Sequence, residues 1–233
     1  MKKNYSINMT AERVYKRKLF SRMTKIVFLL LIGALSITYL FLYIIYGGAS
    51  FTISLDKNMA NQKSLYLSED GKKEHKKIEL SVKTLDYMDN ISIDWLPKDI
   101  DTKIGGSHNG PNYIAYTFYV INTGVDAINY WYNVDIDDSI RNVDSAIRIM
   151  IYQNHVPTIY AKKNAITKKE EFGTKKFYSN EKVLLEKREQ LKAKEKDCYT
   201  LVIWIEGDDP DCINDLLGGE IKMNMYFTEE HVK

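Results

Sequence analysis

Residues 26–46, IVFLLLIGALSITYLFLYIIY, run for 21 positions without a charge. As a helix, such a run rises ~1.5 Å per residue and covers the ~30 Å hydrocarbon core of a bilayer. No other stretch of the chain comes close to it. The sequence therefore predicts a single transmembrane helix, with everything after residue 47 on one side of the membrane.

The flanks say which side. Before the run stand Lys2, Lys3, Arg13, Lys16, Arg17, Lys18, Arg22 and Lys25 against one acid, Glu12. That is a net of +7 on residues 1–25, which leaves −5 on the rest of a chain whose total is +2. Basic flanks stay in the cytoplasm, so the N-terminus is expected inside and the C-terminal bulk outside. A secretory signal peptide is the other reading, since Gly47-Gly48-Ala49 would suit cleavage before Ser50. The apolar run is long for a signal, and Tyr39, Tyr43 and Tyr46 suit an aromatic anchor at the outer interface, which favours a retained span. The basic tail is read as a topology signal that also attracts anionic lipid, with no nucleic acid as partner.

The expected organisation is a basic cytoplasmic tail (1–25), the span (26–46), a short linker (47–50) and an outer domain (51–233). Four linker residues reach at most ~14 Å, so the domain is expected close to the bilayer. Its two cysteines, Cys198 and Cys212, are too few for a disulfide scaffold, so a hydrophobic core must hold the fold. A strand from Cys198 to Glu206 is ~26 Å long. The six residues back to Cys212 span at most ~20 Å, so a bridge would need an almost straight return.

Alternation with period 2 recurs along the outer domain. Phe51, Ile53 and Leu55 share one face; so do Ile78, Leu80 and Val82. Ile114, Tyr116, Phe118 and Val120 form the next run, followed by Ile128, Tyr130, Tyr132, Val134 and Ile136. Ile147, Ile149 and Ile151 alternate with Arg148 and Met150; Tyr199, Leu201, Ile203 and Ile205 follow, then Ile221, Met223, Met225 and Phe227. Asn122-Thr123-Gly124 marks a turn, and Gly105-Gly106, Asn109-Gly110 and Pro111 a longer loop. The expectation is an all-β fold, an antiparallel Ig-like or jelly-roll β-sandwich. Residues 162–182, rich in lysine, read as a solvated excursion, and 182–186 as a short strand leading into a charged loop. Many of the 17 Tyr and 3 Trp are expected in the core; Trp131 falls opposite Tyr130 and Tyr132 in its strand, so it belongs either to the core or to an exposed patch suited to carbohydrate or protein contact, and core is favoured.

The most distinctive local sequence is Trp204 to Cys212, WIEGDDPDC. Calcium takes six to eight oxygens, and Glu206, Asp208, Asp209 and Asp211 offer several, although EF-hand spacing is absent. The simpler reading is a short helix with Asp209 as N-cap, Pro210 at the first position and Gly218 just past the end. The four histidines, His75, His108, His155 and His231, lack metal-ligand spacing, and no G-x-S-x-G, P-loop or C-x-x-C appears. No catalytic or organic-cofactor residue is assigned.

Two stretches resemble a known family. Phe118-Tyr119-Val120-Ile121-Asn122-Thr123-Gly124, and the Trp204–Cys212 stretch with Gly218-Gly219-Glu220 and a last strand, are similar to exported sandwich proteins of Gram-positive bacteria related to camelysin and the biofilm fibre protein TasA. The resemblance covers residues 110–230 in patches. It implies a surface or matrix role. Camelysin-type proteins have been classed as metalloproteases, but the residues a peptidase needs are not identifiable, so that activity is not carried over. The leading expectation is a non-enzymatic, membrane-anchored binding or assembly protein, with lipid and cell-surface or membrane proteins as partners and oligomerisation open. The alternatives are a metal-dependent hydrolase, or an accessory subunit of a membrane complex packing through Gly33, Ala34 and Ser36.

Overall fold

The computed structural model describes residues 11–46, 51–56 and 64–230. Lys2 and Lys3 of the tail, the 47–50 linker and His231 lie outside the described residues. The chain divides into two compact units, residues 1–48 and 49–233.

The described residues of the first unit form one helix, α1 (Ala11–Tyr46). Arg13–Leu42 within it is long and apolar enough to cross a membrane. The helix starts well before the apolar run, because Arg, Lys, Leu and Met in the basic flank are all good helix formers. Thr24 and Thr38 donate their hydroxyls to the carbonyls of Phe20 and Ala34, each at 2.8 Å, so neither is left bare on the apolar surface.

The second unit is built of strands. In chain order they are β1 (Phe51–Leu55), β2 (Leu65–Ser68), β3 (Glu79–Val82), β4 (Gly106–Ser107), β5 (Tyr113–Asn122), β6 (Ile128–Ser139), β7 (Ile147–Gln153), β8 (Val156–Ala161), β9 (Lys175–Lys176), β10 (Lys182–Leu191), β11 (Lys196–Ile205) and β12 (Ile221–Glu230). One sheet runs β10-β6-β12-β1-β3; the other runs β2-β5-β11-β7-β8-β9, with β4 also on β5. The sheets are mixed. The expectation of a purely antiparallel fold is corrected at two pairings, where β1 lies parallel to β12 and β8 parallel to β9. Alternation sets which face a strand buries, not its direction, so the sequence carried no sign of this.

The sheets meet through the alternating positions. Phe118 and Tyr199 of one stack at 5.5 Å, and both meet Phe227 of the other edge-on, at 5.8 and 5.5 Å. Tyr132 closes the group against Tyr199 at 5.4 Å. Burying each such ring contributes roughly 1.5–3 kcal/mol, with somewhat more from the ring contacts. Trp131 points the other way. It is half-exposed on the outer face of its sheet, with Lys187 5.5 Å over its ring, and is not a core residue.

A second, smaller core lies on the outer face of the other sheet. There Ala115, Met150, Val202 and Trp204 are covered by Ile91, Leu96 and Ile100 from the segment between β3 and β4. That segment is held by two single turns, Ile93–Trp95 and Ile100–Thr102. The charged stretch expected to follow a short strand at 182–186 is itself strand, since β10 continues to Leu191. Its charges are paired, Lys187 with Glu230 of the same sheet at 2.7 Å and Arg188 with Asp197 of the other sheet at 3.0 Å.

Registers bring several loops to one end of the sandwich. Trp204 faces Tyr113, Ile205 faces Ile147, Arg148 faces Ala161 and Ile221 faces Ser139. Loops 140–146, 162–174 and 206–220 therefore meet there. At the other end Asn122 is the knot. It is fully buried and donates from Nδ2 to the carbonyls of Asp126, Leu191 and Lys192 at 2.8, 3.0 and 3.1 Å. Its Oδ1 accepts Gly124 N–H at 2.8 Å, which makes the expected turn.

Candidate functional site

Strand β7 sends Ile147, Ile149 and Ile151 into the inter-sheet core. Alternation sends Arg148 to the opposite face, where it is buried. A guanidinium cannot lie there without an anion, and Asp209 supplies one. Arg148 Nη2 lies 2.5 Å from Asp209 Oδ2, and the Asp209 side chain is 0% exposed. The contact is between charges and is not an aligned hydrogen bond, since Asp209 Oδ2 accepts none.

The loop after β11 is wound around this contact. Asp209 Oδ1 accepts Asp211 N–H at 2.7 Å, and Asp209 C=O accepts Cys212 N–H at 2.9 Å. Asp211 Oδ2 reaches across to accept Ala165 N–H at 2.7 Å. The excursion arriving there is pinned by Asn164, whose Oδ1 accepts the N–H groups of Ile166 and Thr167 at 3.1 and 2.8 Å. Glu171 of the same excursion completes the group. One carboxylate oxygen from each of Glu171, Asp209 and Asp211 lies within 4.8 Å of the others.

The four acids singled out in the sequence thus separate. Asp209 and Asp211 come together. Glu206 does not join them: its oxygens accept Trp204 Nε1–H at 3.0 Å and Asp208 N–H at 3.3 Å. Asp208 is exposed. The expected helix from Pro210 is also corrected. The loop holds a single tight turn, Asn214–Leu216, preceded by Ile213, with Gly218 beyond it at φ +73°. Asp209 Oδ1 makes the bond of an N-cap, to Asp211 N–H, but the chain after Pro210 forms only a turn, and Asp209 Oδ2 is drawn inward to Arg148.

Sequence reasoning missed Glu171 and did not assign Arg148. Arg148 carried a signal, an arginine inside an otherwise apolar strand. Glu171 carried none, being one of three acids in a lysine-rich stretch far from the loop in sequence.

Elsewhere a cleft of about 370 Å³ is lined by Tyr132, Gln153, Asn154, Thr158, Tyr160 and Arg188, among others. Beside it, Tyr130 OH donates to Asp197 Oδ2 at 2.6 Å and meets Tyr199 OH at 2.8 Å. Burial pushes both phenols well above their ordinary pKa. Asn154 and Arg188 bond the same aspartate at 2.8 and 3.0 Å, which fixes the cleft wall.

The described histidines take separate partners. His75 pairs with Asp70 at 2.7 Å, His155 with Asp101 at 2.8 Å, and His108 with the Thr117 hydroxyl at 2.9 Å. Both cysteines are free thiols. Cys198 lies near the start of β11 and Cys212 beyond its end, and burial raises the Cys198 pKa.

No family model matches this chain, and no curated protein matches it. Among solved structures it is similar to a β-glucosidase from Kluyveromyces marxianus in complex with glucose. The match is at 10% identity and a TM-score of 0.23, over 74% of this chain and 17% of that one. A score so low carries no argument about fold or function.

Proposed function

We propose that this chain is a single-pass membrane protein, N-terminus cytoplasmic, whose β domain acts outside the cell as a non-enzymatic binding or assembly module of the surface, matrix or envelope. In fold terms the domain is read as an Ig-like or jelly-roll sandwich with two parallel departures. The apolar helix and the +7 flank support the anchoring and its direction. The resemblance to camelysin and TasA supports the setting.

One observation carries the binding role. The loops at one end of the sandwich expose large apolar side chains: Ile140, Ile166, Phe172, Ile213 and Leu217. Those loops are tied to each other by Ala165 N–H to Asp211, by Arg141 to Leu217 C=O at 2.8 Å, and by Ile140 N–H to Glu220 C=O at 2.8 Å. Apolar side chains held out on fixed loops suit a protein partner.

The test is a photo-crosslinking residue at Phe172 in the membrane-bound full chain, with Val125 on the Asn122 turn as control. A discrete protein adduct is expected from Phe172 and not from Val125, and it should be lost with Leu217→Ser. Equal labelling from both positions, or none from Phe172, would defeat the reading. Protease added to intact cells should digest the β domain and spare the tail; a protected β domain would overturn the topology.

A further inference from the structure

Acidic side chains gather on many protein surfaces without holding anything. Glu171, Asp209 and Asp211 differ in what they lack. Among side chains of the described residues, two buried polar atoms accept or donate no hydrogen bond, Glu171 Oε1 and Asp209 Oδ2. Both belong to this one group of three carboxylates. Asp209 Oδ2 has Arg148 Nη2 at 2.5 Å as its counter-charge, whereas Glu171 Oε1 has no polar partner, and a carboxylate oxygen orphaned away from water is costly.

Charge points the same way. Among the described residues, Arg148 is the cation paired with the group, through Asp209. Lys162, nearby in sequence, is held by Asp144. Three carboxylates against one guanidinium leave two negative charges unmatched. The spacing fits a single ion. Oxygens bound to calcium at ~2.3–2.6 Å lie at most ~5 Å apart, and these lie within 4.8 Å of one another.

We propose that Glu171, Asp209 and Asp211 bind one calcium ion. The donors are all carboxylate oxygens, with no imidazole or thiolate among them, which selects a hard cation over zinc or copper. They stand on two separate loops, a flexible arrangement that suits calcium better than the strict octahedron magnesium demands. Glu171 comes from the 162–174 excursion and the two aspartates from the loop after β11. The ion therefore clamps one loop on the other, alongside the hydrogen bond from Ala165 N–H to Asp211. This goes beyond the binding role proposed above and does not rest on it.

The experiment uses the full chain in detergent micelles, stripped with chelator and titrated calorimetrically with calcium. Thermal melts are followed by tryptophan fluorescence, since Trp95, Trp131 and Trp204 all lie in the β domain. One calcium per chain is expected. At a hundredfold excess over Kd the melting temperature should rise by roughly 5–10 °C. Glu171→Gln, which removes one charge and keeps the shape, should weaken binding at least tenfold. Glu170→Gln removes the same charge from an exposed neighbour and should leave binding unchanged. No saturable binding at millimolar calcium overturns the proposal. So does binding indifferent to Glu171→Gln, or weakened equally by Glu170→Gln, since either result places the ion elsewhere or reduces it to diffuse attraction.

Discussion

Asn122→Ala should cost the β domain about 3 kcal/mol, far more than the turn it sits in would suggest. The side chain is fully buried and makes four hydrogen bonds, three to carbonyls and one from Gly124 N–H. An amide has two donor hydrogens, so the three carbonyls share them. Truncation strands the Leu191 carbonyl, which is wholly buried and loses ~1–3 kcal/mol unaided. The groups of Asp126, Lys192 and Gly124 are only partly buried, and water recovers some of their loss. About 3 kcal/mol in a domain of this size lowers the melting temperature by roughly 6–12 °C. Asn122→Asp separates this account from one based on shape. The carboxylate is isosteric and keeps the Gly124 bond, so a packing account makes it milder than alanine. A carboxylate facing three carbonyls makes it worse than alanine at neutral pH. Urea unfolding of the full chain in micelles, read by tryptophan fluorescence, measures both. A loss under about 1 kcal/mol for alanine, or a milder aspartate, would refute the reasoning.

Two further outcomes follow from other sites. Burial and then Lys103 hold His108 below its ordinary 6.5, so the unfolded chain binds the proton more readily than the folded one. Stability should therefore fall as pH drops from ~6.5 through the lowered value, and His108→Gln, still able to meet Thr117, should flatten that limb of a melting-temperature profile; an unchanged profile would contradict it. Gly105→Ala should destabilise by ~2 kcal/mol or more, because its Cβ would stand 1.4 Å from the Glu69 carbonyl oxygen and force the two segments apart; a neutral result in the same unfolding assay would contradict that contact.

The strands that bury one face against the other sheet were legible because alternation is a direct consequence of the pleat. β5, β6, β7, β11 and β12 were read this way. β2 and β8 were not: one is four residues long and the other opens with Val156-Pro157 at an exposed margin. The second half of β10 was hidden by its charges, whose partners lie on other strands, Glu230 on β12 and Asp197 on β11. A sign of the segment covering the second core was present but unused. β5, β7 and β11 place Ala115, Met150, Val202 and Trp204 on the face that should meet water. Strands apolar on both faces need a cover on each. At the site, the acidic loop was visible, but which of its acids turn inward was not. That depends on Arg148 from another strand, and on a glutamate brought over by an excursion with no pattern of its own.

The Arg148–Asp209 pair gives the sharpest separation between a stabilising role and a ligand-holding one. A buried ion pair is a poor stabiliser, because the cost of desolvating both ions cancels most of their attraction. If the pair served the fold alone, hydrocarbon of similar size would serve as well. The double variant Arg148→Met with Asp209→Leu should accordingly unfold, in chelator, within about 1 kcal/mol of the parent or above it. Arg148→Met alone should cost ~3–5 kcal/mol in chelator, since it leaves three clustered carboxylates without their cation. Calcium then discriminates. It should restore more stability to Arg148→Met than it adds to the parent, because the variant site carries one more uncompensated negative charge. It should add nothing to the double variant, which has lost a ligand. The assay is the same fluorescence melt in calcium and in chelator. A deficit in Arg148→Met that calcium leaves untouched, or a calcium response that survives in the double variant, would show that these carboxylates are matched by something other than a bound cation.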